Sequence, residues 1–297
     1  MRRFGHWIGC ALWLVALAGV GGASEPTAAP ERHSVWKVQG EKCAVHLLGS
    51  VHVLKAEHYP LPAAFENAFS NASLIYFETD IGAMLKPETQ SKLAMRAALP
   101  EGQTLKDSLS EQTYGGLSQH LKASGIATAA VDRFKPGFVV MTLAMIELRK
   151  QGFNPESGMD LHYFKRAEPE RKTVRGLEPL DFQINLICDL RREEGEALMK
   201  STLVDLQHAR DKFGALITAW QTGDSASMEK LLNQAQKEDP AIMKKFLTDR
   251  NRQWVPQIEA LVRGTNNAVV IVGAGHLVGQ EGIVELLRQK GCKITQE

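Results

Sequence analysis

This sequence has almost no net charge. Its 35 Lys and Arg residues are balanced by 34 Asp and Glu, a formal +1, and only 7% of residues are aromatic. A chain with neither a clustered basic excess nor basic patches interleaved with aromatics is a poor partner for nucleic acid, and that class is set aside. The 12 Pro and 25 Gly are too few for a low-complexity chain, and no segment repeats at a fixed period. The four cysteines form no Cys-x-x-Cys unit, which excludes a disulfide scaffold and a zinc ribbon. There is no His-Glu-x-x-His helix and no Gly-x-Ser-x-Gly elbow, so the familiar zinc-peptidase and serine-hydrolase signatures are both missing. What remains is 44% hydrophobic and 23% charged, the composition of a globular chain long enough to bury its core without covalent staples.

The N-terminus differs from the rest. Arg2 and Arg3 precede an apolar stretch from Trp7 to Val20, followed by Gly21, Gly22 and Ala23 and then by polar Ser24 and Glu25. This is the pattern of a secretory signal peptide cleaved after Ala23; the alternative, an uncleaved anchor, has fewer apolar residues than the ~20 a spanning helix needs. No later segment reads as membrane-spanning. Cleavage removes two positive charges, taking the mature chain to a net charge of about −1, and places it in the periplasm or outside the cell. Cys43, Cys188 and Cys292 remain and read as small buried residues, with at most one bridge among them. Residues 24–33, rich in Pro, Ala and Thr, read as a disordered lead.

From Ser34 onward the pattern is α/β. Val35 to Val38 and Cys43 to Leu48 predict a hairpin, Pro60 and Pro62 open a helix carrying Phe65 and Phe69, and Leu74 to Phe77 is a strand ending at Glu78. Strand, helix, strand is the order of a parallel βαβ unit. Glu88 to Leu99, Ser108 to Ala123 and Gly137 to Gln151 carry helical periodicity, and Thr173 to Leu177 is a possible strand. Pro179 to Arg263 reads as nearly continuous helix, with the charged run Arg191 to Glu196 as a solvated face. Ala268 to Val272 is a buried strand, Ile283 to Gln289 a helix and Cys292 to Thr295 a last strand. The expectation is one domain over residues 34–297: a mixed sheet built from both chain ends, with a large helical insertion at about 85–263.

Two strand exits share a pattern. Gly49-Ser50-Val51-His52 and Gly273-Ala274-Gly275-His276 are both Gly-x-x-His directly after an apolar strand, and Glu78 stands at a third exit. Ligands of open parallel sheets sit beyond the carboxyl ends of the strands, so His52, Glu78 and His276 can meet there if the strand order allows. Two neutral imidazoles and a carboxylate match catalytic zinc sites and equally suit manganese, cobalt or iron. Val272 to Gly279 imitates a dinucleotide loop, but Val278 stands where the third glycine belongs and too little chain follows for a βαβ unit.

Ordered along the chain, Gly49 to His52 with Tyr59 to Pro62, Glu78, Gly158-Met159-Asp160, Gly176-Leu177-Glu178 with Gln183, Asp249-Arg250-Asn251, and Val272 to Gly279 with Gly291 resemble the TraB/GumN family, whose wider relatives include the Tiki metalloproteases. Ser50 departs from a common threonine there and keeps the hydroxyl. The resemblance implies a divalent-metal-dependent peptidase with Mn, Co or Zn, a peptide or protein substrate, and a fold similar to the erythromycin-esterase and ChaN proteins. It marks His52, Glu78 and His276 as the active centre.

The supporting roles stay open at this level. Arg250 with Asn251 donates to a substrate carboxylate or oxyanion, or Arg250 pairs with Glu178 or Asp160 to hold the insertion on the sheet, and the two roles are compatible. Asp80 either orients a ligand from the Glu78 face of the strand or caps a helix. Asp160, Glu178 and Gln183 are read as orienting or structural groups, His46 as core or orienting, and His58 and His162 carry no pattern. Two functions follow: an exported metal-dependent hydrolase, or a noncatalytic envelope protein that binds a metal, a haem-like ligand or a peptide.

Overall fold

The computed structural model describes residues 32–297; the signal peptide and most of the lead expected from the sequence lie outside the described residues. The centre is a six-stranded sheet of β1 (Val35–Gln39), β2 (Ala44–Ser50), β3 (Leu74–Phe77), β4 (Thr173–Gly176), β5 (Ala268–Gly273) and β6 (Lys293–Gln296), in spatial order β4-β3-β5-β2-β1-β6. β4, β3, β5 and β2 run parallel, while β1 is antiparallel to both β2 and β6. The sheet is therefore mixed, and both chain ends contribute to it.

Sequence explains the placement. Every residue of β5 is buried, as its unbroken apolar run requires of a strand covered on both faces. β2 and β3 are joined by a helix, but they do not touch: β5, arriving from the far end of the chain, lies between them with Val45 and Leu74 both in register with Ala268. The expected βαβ unit is thus a crossover that leaves one strand position to be filled later.

The helices are α1 (Ala63–Ser70), α2 (Ile81–Met84), α3 (Pro87–Ala97), α4 (Leu105–Ser108), α5 (Glu111–Ala123), α6 (Pro136–Lys150) and α7 (Met159–Ala167), then α8 (Leu180–Cys188), α9 (Arg192–Gln207), α10 (Ala209–Gln221), α11 (Ser225–Glu238), α12 (Pro240–Met243), α13 (Asp249–Val262) and α14 (Ile283–Gln289). A π-helical turn, Lys244–Thr248, runs directly into α13. The main core packs on the sheet around Phe65, Phe69, Phe77, Trp220 and Trp254, and a second cluster around Leu105, Leu117, Leu121, Val139 and Met199 holds α4, α5, α6 and α9 together.

Within the stretch 85–263, β4 returns to the sheet edge at the strand expected over Thr173 to Leu177. One expectation is corrected. The run Arg191 to Glu196 is not simply a solvated face: Glu194 is buried and paired with Arg191 and Lys245, and Glu196 accepts from Ser110 and Thr113 to tie α9 to α5. Cys43, Cys188 and Cys292 are free thiols, the first two buried. Among the described residues no helix is long and apolar enough to cross a membrane.

Candidate functional site

Four parallel strands end on one edge of the sheet. β2 leads into His52, β3 into Glu78, β4 into Glu178 and β5 into His276. Because β2, β5 and β3 are neighbours, the two Gly-x-x-His turns flank one another and Glu78 faces both. His52 Nε2 lies 3.9 Å and His276 Nε2 3.7 Å from the same atom, Glu78 Oε1. The structure brings together the three side chains singled out from the sequence.

Each is fixed from behind. Asp160 Oδ2 accepts from His52 Nδ1 at 2.7 Å, and its Oδ1 accepts from Ser50 at 3.2 Å, which gives the hydroxyl of the first motif its purpose. Gly158 makes this possible: a Cβ there would lie 2.1 Å from the His52 carbonyl oxygen, so only glycine lets the start of α7 come close enough to deliver Asp160. Asn251 Oδ1 accepts a hydrogen bond from His276 Nδ1 at 2.5 Å, while Asn251 Nδ2 donates to the Glu281 carbonyl. With Nδ1 of both rings held by these acceptors, Nε2 is the ring nitrogen on the Glu78 side in each. Glu78 Oε1 also accepts from the Gly273 backbone N–H at 2.8 Å.

Arg250 enters from the first turn of α13. Its Nε and Nη2 grip Glu178, Nη2 also reaches Glu78 Oε2 at 2.5 Å, and Nη1 donates to the Phe246 carbonyl and to His276 Nε2. Glu178 accepts in addition from Trp254 Nε1 and Gln183 Nε2, and Gln183 bridges to Glu78 Oε2. Gly176 permits this crowding, since a Cβ there would lie 2.8 Å from backbone atoms of Thr79 and Asp80.

Burial on its own would raise the Glu78 carboxyl, but Arg250, the two imidazoles and the Gly273 N–H outweigh it and bring the pKa down to about 2. Glu178 is shifted the other way, because burial and the charge of Glu78 outweigh Arg250. His276 is fully buried, and desolvation holds its pKa well below the ordinary imidazole value; it is neutral at neutral pH.

The structure separates the remaining expectations. Arg250 pairs with Glu178, one of its two expected structural partners, and not with Asp160, which serves His52 instead. The side chains of Arg250 and Asn251, read as donors to substrate, are both hydrogen-bonded within the protein, and Asn251 is wholly buried. Asp80 is exposed and caps α2 by accepting from Ala83 N–H, the second of its two expected roles. His46 faces Glu297 at the opposite end of β2. Sequence reasoning missed Trp254, whose ring lies 4.5 Å from that of His276; the signal was its spacing four residues after Arg250, on the same face of α13.

The donors fit a divalent cation in kind: two imidazole Nε2 atoms and a carboxylate converge, and the buried cluster holds three carboxylates, Glu78, Asp160 and Glu178, against one guanidinium. A Cβ on Gly273 would lie 3.4 Å from Glu78 Oε1 and 3.7 Å from both His52 Nε2 and His276 Cδ2, so the missing side chain leaves an open position among the three. In spacing the fit is loose. Ligand atoms of a tetrahedral site stand roughly 3.3–3.4 Å apart, less than the 3.7 and 3.9 Å found. Among the described residues no group of three His, Cys, Asp or Glu side chains is arranged to hold a metal ion as it stands. Nor is the cluster open: the His52 side chain is 10% exposed, that of Arg250 3% and that of His276 not at all. A cavity of about 1140 Å³ between α9, α10 and α11 is lined by none of these residues.

Comparison with known proteins places the chain in a wider group. It is 24% identical to the uncharacterized protein YbaP of Escherichia coli over 243 residues, covering 82% of this chain and 87% of that one. It is 23% identical to the metalloprotease TIKI2 of Xenopus tropicalis and 21% identical to the human metalloprotease TIKI1, covering 88% and 84% of this chain but 59% of each relative. No solved structure is significantly similar, so the α/β architecture stands on this structure alone. The profile of the TraB/PrgY/gumN family matches residues 34–296, and the chain belongs to that family.

Proposed function

We propose that this protein is an exported hydrolase that depends on a divalent metal ion and cleaves peptide bonds, with His52, Glu78 and His276 holding the metal. The observation that carries this reading is the convergence of both Nε2 atoms on one oxygen of Glu78. The names of the Tiki relatives support the activity, and the Arg2-Arg3, apolar, Gly-Gly-Ala order of residues 2–23 supports export.

A divalent ion in such a site supplies Lewis acidity, polarising a carbonyl and acidifying water. The chain's own residues supply the rest. Asp160 and Asn251 hold the two rings in the tautomer that leaves Nε2 as a base. Gly273 N–H, Gln183 and Arg250 keep Glu78 ionised and pointed. Of the three side chains, His52 and Glu78 keep slight exposure and His276 has none.

A second reading, a noncatalytic binding protein, draws on the tightness of the cluster and on the internal use of Arg250 and Asn251. A peptide-library assay with added Mn, Co or Zn separates the two. Cleavage by the wild type and its loss in His52→Ala, Glu78→Ala and His276→Ala support the hydrolase. Metal binding without cleavage of any peptide supports the second reading.

A further inference from the structure

The metal reading leaves the position of Arg250 unexplained. A guanidinium has five N–H donors, and here all are used: Nε on Glu178, Nη1 on the Phe246 carbonyl and His276 Nε2, Nη2 on Glu78 Oε2 and Glu178 Oε1. Nothing is left for a substrate. The contact with His276 matters most. Its Nδ1 proton is committed to Asn251, so Nε2 has a single lone pair, and Arg250 donates to it at 3.2 Å. That is the lone pair a cation would need.

The charges point the same way. Without Arg250, the Glu78 and Glu178 carboxylates would face one another in a buried place and repel. With it they are bridged and hydrogen-bonded by a shared cation, and the neighbouring Trp254 ring, 4.6 Å from the guanidinium carbon, closes one side. Glu178 holds the guanidinium through two nitrogens, so Arg250 can release His276 without leaving the cluster.

We infer that Arg250 is a built-in counter-cation that keeps the site ordered without a metal, and that a divalent ion is taken up by exchange: His276 Nε2 gives up its Arg250 donor, while Glu178 retains the guanidinium. This inference rests on the metal reading above. It makes Arg250 a positioning residue that lowers metal affinity while holding the ligands in place. The wide spacing of the three donors is the spacing of the arginine-held state.

Cobalt(II) titration of chelator-treated protein, followed by its visible absorption and by the melting temperature, tests this on the full chain. Arg250→Gln removes the donor and the charge; Arg250→Lys keeps the charge but cannot reproduce the planar fork. Expected results are binding tighter than wild type by about tenfold or more for Arg250→Gln, and a smaller but distinct tightening for Arg250→Lys. Metal-free Arg250→Gln should melt below wild type and gain more on adding cobalt. Wild-type binding that is unchanged or weakened by Arg250→Gln overturns the inference. Tightening in Arg250→Gln with Arg250→Lys equal to wild type also overturns it, because charge repulsion alone then accounts for the effect. If Arg250→Gln does not fold, by far-UV circular dichroism, the comparison rests on Arg250→Lys. If the wild type and both variants bind no cobalt, the metal reading itself fails, a separate result.

Discussion

Asp160 Oδ2 and His52 Nδ1 are joined by a 2.7 Å hydrogen bond that spans 108 residues of sequence and ties the N-terminus of α7 to the end of β2. This bond decides which nitrogen of His52 faces Glu78. Asp160→Ala should leave the sheet intact but weaken metal binding by roughly 10- to 100-fold, the usual cost of losing a group that orients a ligand. Calorimetric titration with zinc or manganese checks this; unchanged affinity in a folded Asp160→Ala protein would show that the bond orients nothing of consequence.

Two glycines of the site should respond differently to the same methyl group. Gly158→Ala puts a Cβ 2.1 Å from the His52 carbonyl oxygen, and a backbone atom cannot move aside cheaply. The expected loss is about 3 kcal/mol or more, read by urea denaturation.

Gly273→Ala meets nothing closer than 3.4 Å, and the residue's φ of −49° suits any amino acid. Stability should change by about 1 kcal/mol or less, whereas metal affinity should fall at least about tenfold because the methyl fills the space between the donors. A Gly273→Ala protein that binds metal like wild type places the ion elsewhere.

The depressed pKa of Glu78 gives a pH dependence with a definite sign. Its folded value of about 2 lies below its ordinary 4.5, so its contribution to stability is present above about pH 4.5 and is lost as pH falls toward 2. The full shift corresponds to a stabilisation on the order of 3 kcal/mol. Denaturation of metal-free protein between about pH 5 and pH 3 should therefore fall less steeply for Glu78→Gln than for wild type. Equal slopes would mean that Arg250 and the imidazoles do not hold the carboxylate ionised.

Local patterns carried most of the fold. Apolar runs of four to seven residues located the strands, and even β4, a short edge strand inside a helical stretch, left a trace at Thr173 to Leu177. Gly-x-x-His after a strand is also local, which is why His52 and His276 were legible. The insertion of β5 between β2 and β3 was not, because nothing within either strand says which neighbour it takes. The partners of Arg250 were only half legible. Glu178 was one of two candidates, and Glu78, 172 residues away, was paired with it only by folding. The partner of Asn251 was not legible: an amide beside an arginine reads as a donor pair, yet neighbours on a helix point about 100° apart, and Asn251 turns toward the back of His276.

The account depends on one meeting point for two imidazoles and a carboxylate. The most direct measurement is an anomalous-difference crystal structure of protein loaded with zinc or manganese. The account predicts a peak about 2.0–2.3 Å from His52 Nε2, Glu78 Oε1 and His276 Nε2, with Arg250 withdrawn from His276. Density bound elsewhere, or an intact Arg250–His276 hydrogen bond at saturating metal, would contradict it.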